Sequence, residues 1–248
     1  MNLERTRDGA PKVFTHVMYI PTNDQHFGHY YALYDNGDIK DIRIYDGYYF
    51  TSAEYYRPYV ENPDPGSVDA VVVSHFHGDH CSDLTVYDYY LSHTGKKIDL
   101  YAPDGDGAFI RKHNNFIHKV TYDGYSVHIG EATVWFFKTC HPAYCLGVRV
   151  EFGGKVFVYS ADTSECENLD KALEGADLCV LDCAFQKEQY RVGGPHLSAD
   201  ICGNYAKKYN VKTLLSHLPP EGDTQTLLRQ AKECSALCEL IDFKTYTV

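Results

Sequence analysis

Four side chains able to hold a metal ion fall within six residues, in Ser74-His75-Phe76-His77-Gly78-Asp79-His80. Imidazole nitrogens and carboxylate oxygens suit zinc and other borderline divalent cations. In extended backbone His75, His77 and Asp79 would project to one side, and Gly78 would let the chain turn so that His80 reaches a second centre. One or two histidines alone would make an ordinary surface loop. The run Ala70-Val71-Val72-Val73 leads straight into the cluster and reads as a buried strand of a parallel or mixed sheet, with the polar residues at its C-terminal end. That combination predicts a metal site.

A metal site needs further ligands, and three come in matching contexts. His141 stands in Thr139-Cys140-His141-Pro142 after the strand-like Val134-Trp135-Phe136-Phe137. Asp162 follows Val156-Phe157-Val158, and His217 lies in Leu214-Leu215-Ser216-His217-Leu218. Each alone would fit a hydrogen-bonded histidine or a helix-capping aspartate; as an ordered set behind the first cluster they read as ligands. Two further groups stand out: Asp182, closing Leu181-Asp182, and His196 in His196-Leu197-Ser198. The plain alternative for His196 is a loop residue beside Ser198, with that serine capping a helix over 199–209.

The elements that must position these residues can be read coarsely from periodicity and turn signals. Strands are expected near 13–20, 29–35, 40–45, 70–74, 97–102, 115–121, 124–129, 132–138, 145–152, 155–160, 178–182, 212–216 and 238–246. Helices are expected near 51–60, 81–94, 104–113, 165–174, 198–209 and 223–235. Asn36-Gly37 and Gly153-Gly154 read as hairpin turns. Leu84, Tyr87 and Leu91 share one face of a helix and are predicted core. No linker-like tract or internal repeat divides the sequence, so residues 1–248 are expected to form a single domain.

On these motifs the chain resembles the metallo-β-lactamase-fold hydrolase superfamily, and within it the ribonuclease Z-like metallohydrolases. The resemblance runs from Tyr45-Asp46-Gly47, similar to the family's acidic-glycine turn, to Pro219-Pro220. Residues 75–80 match HxHxDH without a gap, and His196-Leu197-Ser198 resembles the branch's HST-type motif. Asp182 takes the place of the family's acidic residue, which is usually glutamate. The resemblance implies an α/β fold, a four-layer αββα sandwich, holding two divalent cations, zinc in the first place, with manganese and iron as alternatives. It implies that His75, His77 and His141 hold one cation, Asp79, His80 and His217 the other, and that Asp162 bridges them. Asp79, Asp182 and His196 are implied as catalytic groups of a dinuclear hydrolase working through a shared hydroxide. His196 would protonate a leaving alkoxide or stabilise phosphoryl oxygens, oriented by Asp182. A homodimer would also suit this branch.

Composition narrows the substrate. The formal charge is −11, from 23 basic against 34 acidic residues, with no run of Lys and Arg. Proteins gripping long nucleic acid neutralise several phosphates and usually show a basic face. One hairpin fills the interval from His141 to Asp162, leaving no room for the tRNA-clamping arm of tRNA-processing ribonuclease Z enzymes. These observations favour a phosphodiesterase for a small, cyclic or nucleotide-derived phosphodiester. A lactone or thioester hydrolase on the same scaffold is the first alternative, although such lactonases usually carry tyrosine where this chain has Glu165 and lack the His196 motif. A non-catalytic metal- or nucleotide-binding protein is the second, opposed by the complete ligand set.

The polar opening MNLERTRDGAPKVF and the lack of a long apolar stretch predict a cytoplasmic protein without membrane contact. Nine scattered cysteines, an odd number, read as reduced thiols, with Cys81 and Cys140 packing beside ligands. The 22 tyrosines read mainly as half-buried packing residues. His16, His93, His113, His118 and His128 fit no ligand pattern; His26 and His29 are outside candidates for substrate contact.

Overall fold

In the computed structural model, residues 14–21, 28–34 and 39–43 are described by their backbone as strands, and residues 68–105, 110, 112–219, 223–241 and 246 are described in full. Strands β1 (Phe14–Pro21), β2 (Gly28–Tyr34) and β3 (Ile39–Arg43) form an antiparallel sheet. The expected helix at 51–60, much of that at 104–113, Asp46-Gly47, His26 and Asn36-Gly37 lie outside the described residues.

A parallel sheet joins β4 (Ala70–Val72), β5 (Ile98–Pro103) and β6 (Phe116–Thr121). Two helices follow β4: the single turn α1 (Gly78–Cys81) and α2 (Asp83–Thr94). Leu84 and Leu91 face the sheet, packing with Val73, Ile98, Leu100 and Phe116, with Tyr87 partly buried against them. Each such fully buried leucine contributes roughly 1.5–3 kcal/mol. Gly95 at φ +68° ends α2 in a left-handed turn. β4 corrects the expectation of a buried strand: Val72 is 39% exposed, and burial begins only at Val73, Ser74 and His75. Among the described residues β4 lies at the edge of its sheet, and only the residues that leave it toward the centre are fully enclosed.

The larger sheet has seven strands in the order β13-β12-β11-β10-β9-β8-β7. These are β7 (Ser126–Ile129), β8 (Ala132–Lys138), β9 (Leu146–Phe152), β10 (Lys155–Tyr159), β11 (Leu178–Asp182), β12 (Lys212–Ser216) and β13 (Cys238–Leu240). Of the predicted strand 238–246, residues 242–245 lie outside the described residues. Gly153 and Gly154, at φ +57° and +77°, make the β9–β10 hairpin, since both central positions of its turn need positive φ. β8 and β10 are both antiparallel to β9, while β10, β11 and β12 are mutually parallel. The strands preceding His141, Asp162 and His217, and the strand ending in Asp182, therefore all run the same way. Their C-terminal ends meet at one edge of the sheet.

Helices α3 (Glu167–Leu173), α4 (Ala199–Tyr209) and α5 (Thr224–Cys234) cover one face of this sheet. Gly203 lets α4 and α5 approach closely: a Cβ there would stand 2.3 Å from the Ala231 carbonyl oxygen. The other face packs on the parallel sheet, with Tyr101 of β5 against Val134, Phe136, Leu146 and Val148. Helix, sheet, sheet and helix follow in that order, which is the α/β four-layer sandwich expected from the sequence. Among the described residues no helix is long and apolar enough to cross a membrane.

Candidate metal centre

Backbone geometry first delivers the ligands. β4 ends before the cluster, His77 is extended at φ −67° and ψ 146°, and α1 then winds Asp79 and His80 onto a helical turn. Gly78 thus opens a helical turn that includes Asp79, where the sequence reading kept Asp79 in extended backbone with His75 and His77. Ala161 and His217 are non-glycine residues at φ +52° and +53°. Such left-handed residues are uncommon and cluster at functional sites. One immediately precedes Asp162, and the other turns its own imidazole back over the sheet edge.

All seven predicted ligands converge. His75, His77, His141 and Asp162 form one group with ligand atoms within 4.8 Å of one another, and Asp79, His80 and His217 form a second. Asp162 belongs to both neighbourhoods: its Oδ2 lies 3.6 Å from His75 Nε2, 3.7 Å from His141 Nε2 and 3.5 Å from His217 Nε2. Its Oδ1 lies 3.2 Å from His80 Nε2. Asp79 Oδ2 is 3.3 Å from both His80 Nε2 and His217 Nε2.

These separations test the fit of a cation. Zn–N and Zn–O bonds of about 2.0–2.1 Å in a tetrahedron place neighbouring ligand atoms about 3.3 Å apart. The atoms here stand at that spacing, longer than good hydrogen bonds. His75 Nε2, His80 Nε2 and Asp162 Oδ1 are buried without a hydrogen-bond partner among the described residues, an arrangement costly unless something else satisfies them. Divalent cations fit this donor set. Neither Cys81, whose thiol donates to the His77 carbonyl at 3.2 Å, nor exposed Cys140 joins either group.

Charge follows the same geometry. Burial, then the neighbouring His80, pushes His75 down to about 4, and burial also lowers His141, so both stay neutral and ready to donate a lone pair. Burial opposes ionisation of Asp162, but the imidazoles around it, His80 foremost, bring it to about 2. Burial likewise opposes Asp79, which His80 and its backbone hydrogen bond still hold below the ordinary carboxylate range. Asp182 beside it raises His217 to about 9. Burial pushes the Cys145 thiol up to about 11, so it is protonated at neutral pH.

His196 and Asp182 are also brought to the centre. His196 Nδ1 donates to Asp182 Oδ2 at 2.8 Å, and the His196 ring stacks 4.8 Å from that of His217. Asp182, 2% exposed, also accepts from the Thr163 amide at 2.9 Å. Its Oδ1 approaches His217 Nδ1 at 3.5 Å, an ion-pair contact without hydrogen-bond geometry. Ser198 holds the N-cap position of α4, but its hydroxyl donates to Asp200 at 2.7 Å and does not cap the helix. A cavity of about 320 Å³ opens beside the centre, lined by Asp79, His80, Tyr159, Asp162, Asp182 and His217.

Several supporting residues escaped the sequence reading. Thr139 donates to the Asp162 carbonyl at 2.8 Å, and Ser160 accepts from the Asp182 amide at 2.9 Å. Tyr190 donates to Glu165 at 2.9 Å, tying the segment before His196 to the segment after Asp162. Adjacency to a ligand was the only sequence signal for Thr139, Ser160 and Thr163; Tyr190 had none. By contrast His93 and His128 make local hydrogen bonds, whereas His113, buried rather than on the surface, pairs with Thr85 and His118 with the Ala102 carbonyl, 28 and 16 residues away along the chain.

Known proteins are similar to this chain in sequence and in fold. The chain is 29% identical over 178 residues to "Probable metallo-hydrolase YhfI" of Bacillus subtilis, covering 66% of this chain and 72% of that one. The crystal structure of YhfI superposes with a TM-score of 0.69 at 22% identity, over 93% of this chain and 95% of that one. The human tRNase Z short form superposes with a TM-score of 0.57 at 17% identity, over 83% and 91%. Ribonuclease Z of Thermococcus onnurineus is 22% identical over 212 residues, covering 60% of this chain and 67% of that one. The family described as "Beta-lactamase superfamily domain" matches residues 50–218. With that match across most of its length, the chain belongs to the beta-lactamase superfamily, as a metallo-hydrolase of the metallo-β-lactamase fold.

Proposed function

We propose that this metallo-hydrolase is a phosphodiesterase for a small phosphodiester of the cyclic or nucleotide-derived kind. The observation that carries the reading is the His196–Asp182 pair, an imidazole held by a buried carboxylate and stacked against a ligand of the centre. Asp182 can only accept, so the His196 proton sits on Nδ1 and Nε2 is left to exchange a proton with substrate. As imidazolium, His196 carries a second proton on Nε2, which it can give to the alkoxide that leaves a phosphodiester while Nδ1–H stays on Asp182; an alkoxide needs that proton more than a thiolate does.

His75, His77 and His141 would hold one divalent cation, and Asp79, His80 and His217 the other, with Asp162 between. Two such cations supply an acidified water nucleophile and neutralise charge on the substrate oxygens. The protein's own part is to hold Asp162 ionised, keep His75 and His141 neutral, and steer His196 through Asp182. A small substrate is supported by the net charge of −11 and by the tight Gly153-Gly154 hairpin between His141 and Asp162. Nine free thiols support action in a reducing compartment.

The test is a panel of a chromogenic phosphodiester, a cyclic nucleotide, a lactone and a thioester, with wild type and His196→Ala. Preferential diester cleavage that collapses in the variant, with metal content unchanged, is the expected result. Preferential lactone or thioester cleavage with His196 dispensable would establish the other hydrolase, and metal-loaded protein inert toward every ester would establish a binding protein.

A further inference from the structure

We propose that Tyr159 is a further catalytic residue, whose phenol donates a hydrogen bond to a substrate oxygen in the cavity beside the metal centre. The inference deepens the phosphodiesterase reading and rests on it for the identity of that oxygen.

Tyr159 is the last residue of β10, three residues before Asp162. It pairs with Val180 of β11 and is aligned through it with Leu214 of β12, one layer below the strand ends that carry Asp182 and Ser216. Its ring is held from two sides. It packs with Val180 and Leu214 on its own sheet, and against the cluster of Tyr101, Phe136 and Val148 that joins the two sheets. Close packing of this kind leaves a ring few orientations, so the hydroxyl at its tip is fixed in place.

That tip meets the cavity of about 320 Å³, which Tyr159 lines together with Asp79, His80, Asp162, Asp182 and His217. Burial, and then the charge of Asp162, hold the phenol proton more firmly than in free tyrosine, with Cys145, Asp182 and Asp79 adding to the effect. The hydroxyl has no hydrogen-bond partner among the described residues, yet it is not one of the sealed polar atoms, so the cavity reaches it.

The neighbouring groups are already committed. Asp79, His80, Asp162 and His217 belong to the ligand groups, and Asp182 accepts from His196 and the Thr163 amide. Ser216 brings a second hydroxyl to the wall, on a side chain too short to stand far from its strand. A hydroxyl can donate or accept, and the substrate decides which. Phosphoryl oxygens only accept, so Tyr159 must donate. Negative charge grows on those oxygens as the nucleophile adds, and a donor fixed toward them beforehand stabilises it without reorganising. His196 meets a different need, the proton of the leaving group.

The experiment compares zinc-loaded wild type with Tyr159→Phe, which keeps the ring and its packing. Zinc content, melting, calorimetric binding of inorganic phosphate, and kcat and KM for a chromogenic phosphodiester are read together. Tyr159→Phe should hold two zinc ions and melt with wild type. It should bind phosphate about 10-fold more weakly, and its kcat should fall about 10²-fold with KM nearly unchanged. A variant that binds phosphate and turns over like wild type would overturn the assignment and leave the phosphodiesterase reading intact. A variant that loses zinc or melts lower would also overturn it, since the hydroxyl would then be structural. Wild type that prefers a lactone or thioester overturns the phosphodiesterase reading alone; the donor role then stands if phosphate binding weakens in Tyr159→Phe and falls if it does not. Wild type that binds no phosphate overturns both.

Discussion

Asp182→Asn should separate the two duties of one carboxylate. Oδ2 accepts from two donors, His196 Nδ1 at 2.8 Å and the Thr163 amide at 2.9 Å. In the variant the amide oxygen must take that position, because an NH₂ group there would meet both donors. The new NH₂ then faces His217 Nδ1, 3.5 Å away in the wild type, donor against donor. His217 escapes by moving its proton to Nε2, the atom that faces Asp79 and Asp162. Metal affinity at the Asp79–His80–His217 group should fall about 10–100-fold, or roughly 1.4–2.8 kcal/mol. His196 also loses a charge-assisted bond, and turnover of a chromogenic phosphodiester should fall by about two to four powers of ten even when metal is restored by excess. The assay pairs metal content after dialysis at fixed chelator with turnover across a range of added zinc. A variant retaining both ions and wild-type turnover would refute the reasoning; one losing only turnover would remove His217 from it.

Asp162→Ala should lose both ions and all activity, read by elemental analysis, because its oxygens face both groups. His196→Gln should keep both ions while turnover drops about 10²–10⁴-fold. Gly203→Ala should cost about 1–3 kcal/mol in denaturant titration, since α4 and α5 must separate to admit a methyl. In metal-free protein His217, raised to about 9, lies above its ordinary 6.5, so the stability it contributes is fully present below that ordinary value and disappears as pH rises through about 9. Melting of the metal-free protein should show this decline, Asp182→Asn should flatten it, and zinc uptake at neutral pH should release about one proton from this ring.

The strands and helices of the larger sheet were legible because each apolar run is bounded by polar or glycine residues, so β8, β11 and β12 fall where periodicity put them. The seven candidate ligands were legible because the 75–80 cluster, His141, Asp162 and His217 each come after such a run. What stayed hidden is three-dimensional. Nothing local in Tyr190 announces Glu165, and Cys145, whose thiol lies 3.5 Å from His75 Nδ1, comes from a different part of the chain. Ser198 was assigned the right position but the wrong partner, since Asp200 competes for its hydroxyl. Val72 misled because a valine in an edge strand reads like one in the middle.

The unsatisfied nitrogens and oxygens around Asp162 give the cations an influence beyond chemistry. A divalent cation bound there would satisfy them, adding binding energy to the folded form alone. The supply of zinc or a similar ion would then govern how long each molecule survives as well as how fast it works, so starvation for metal should thin the population before it slows the remaining copies.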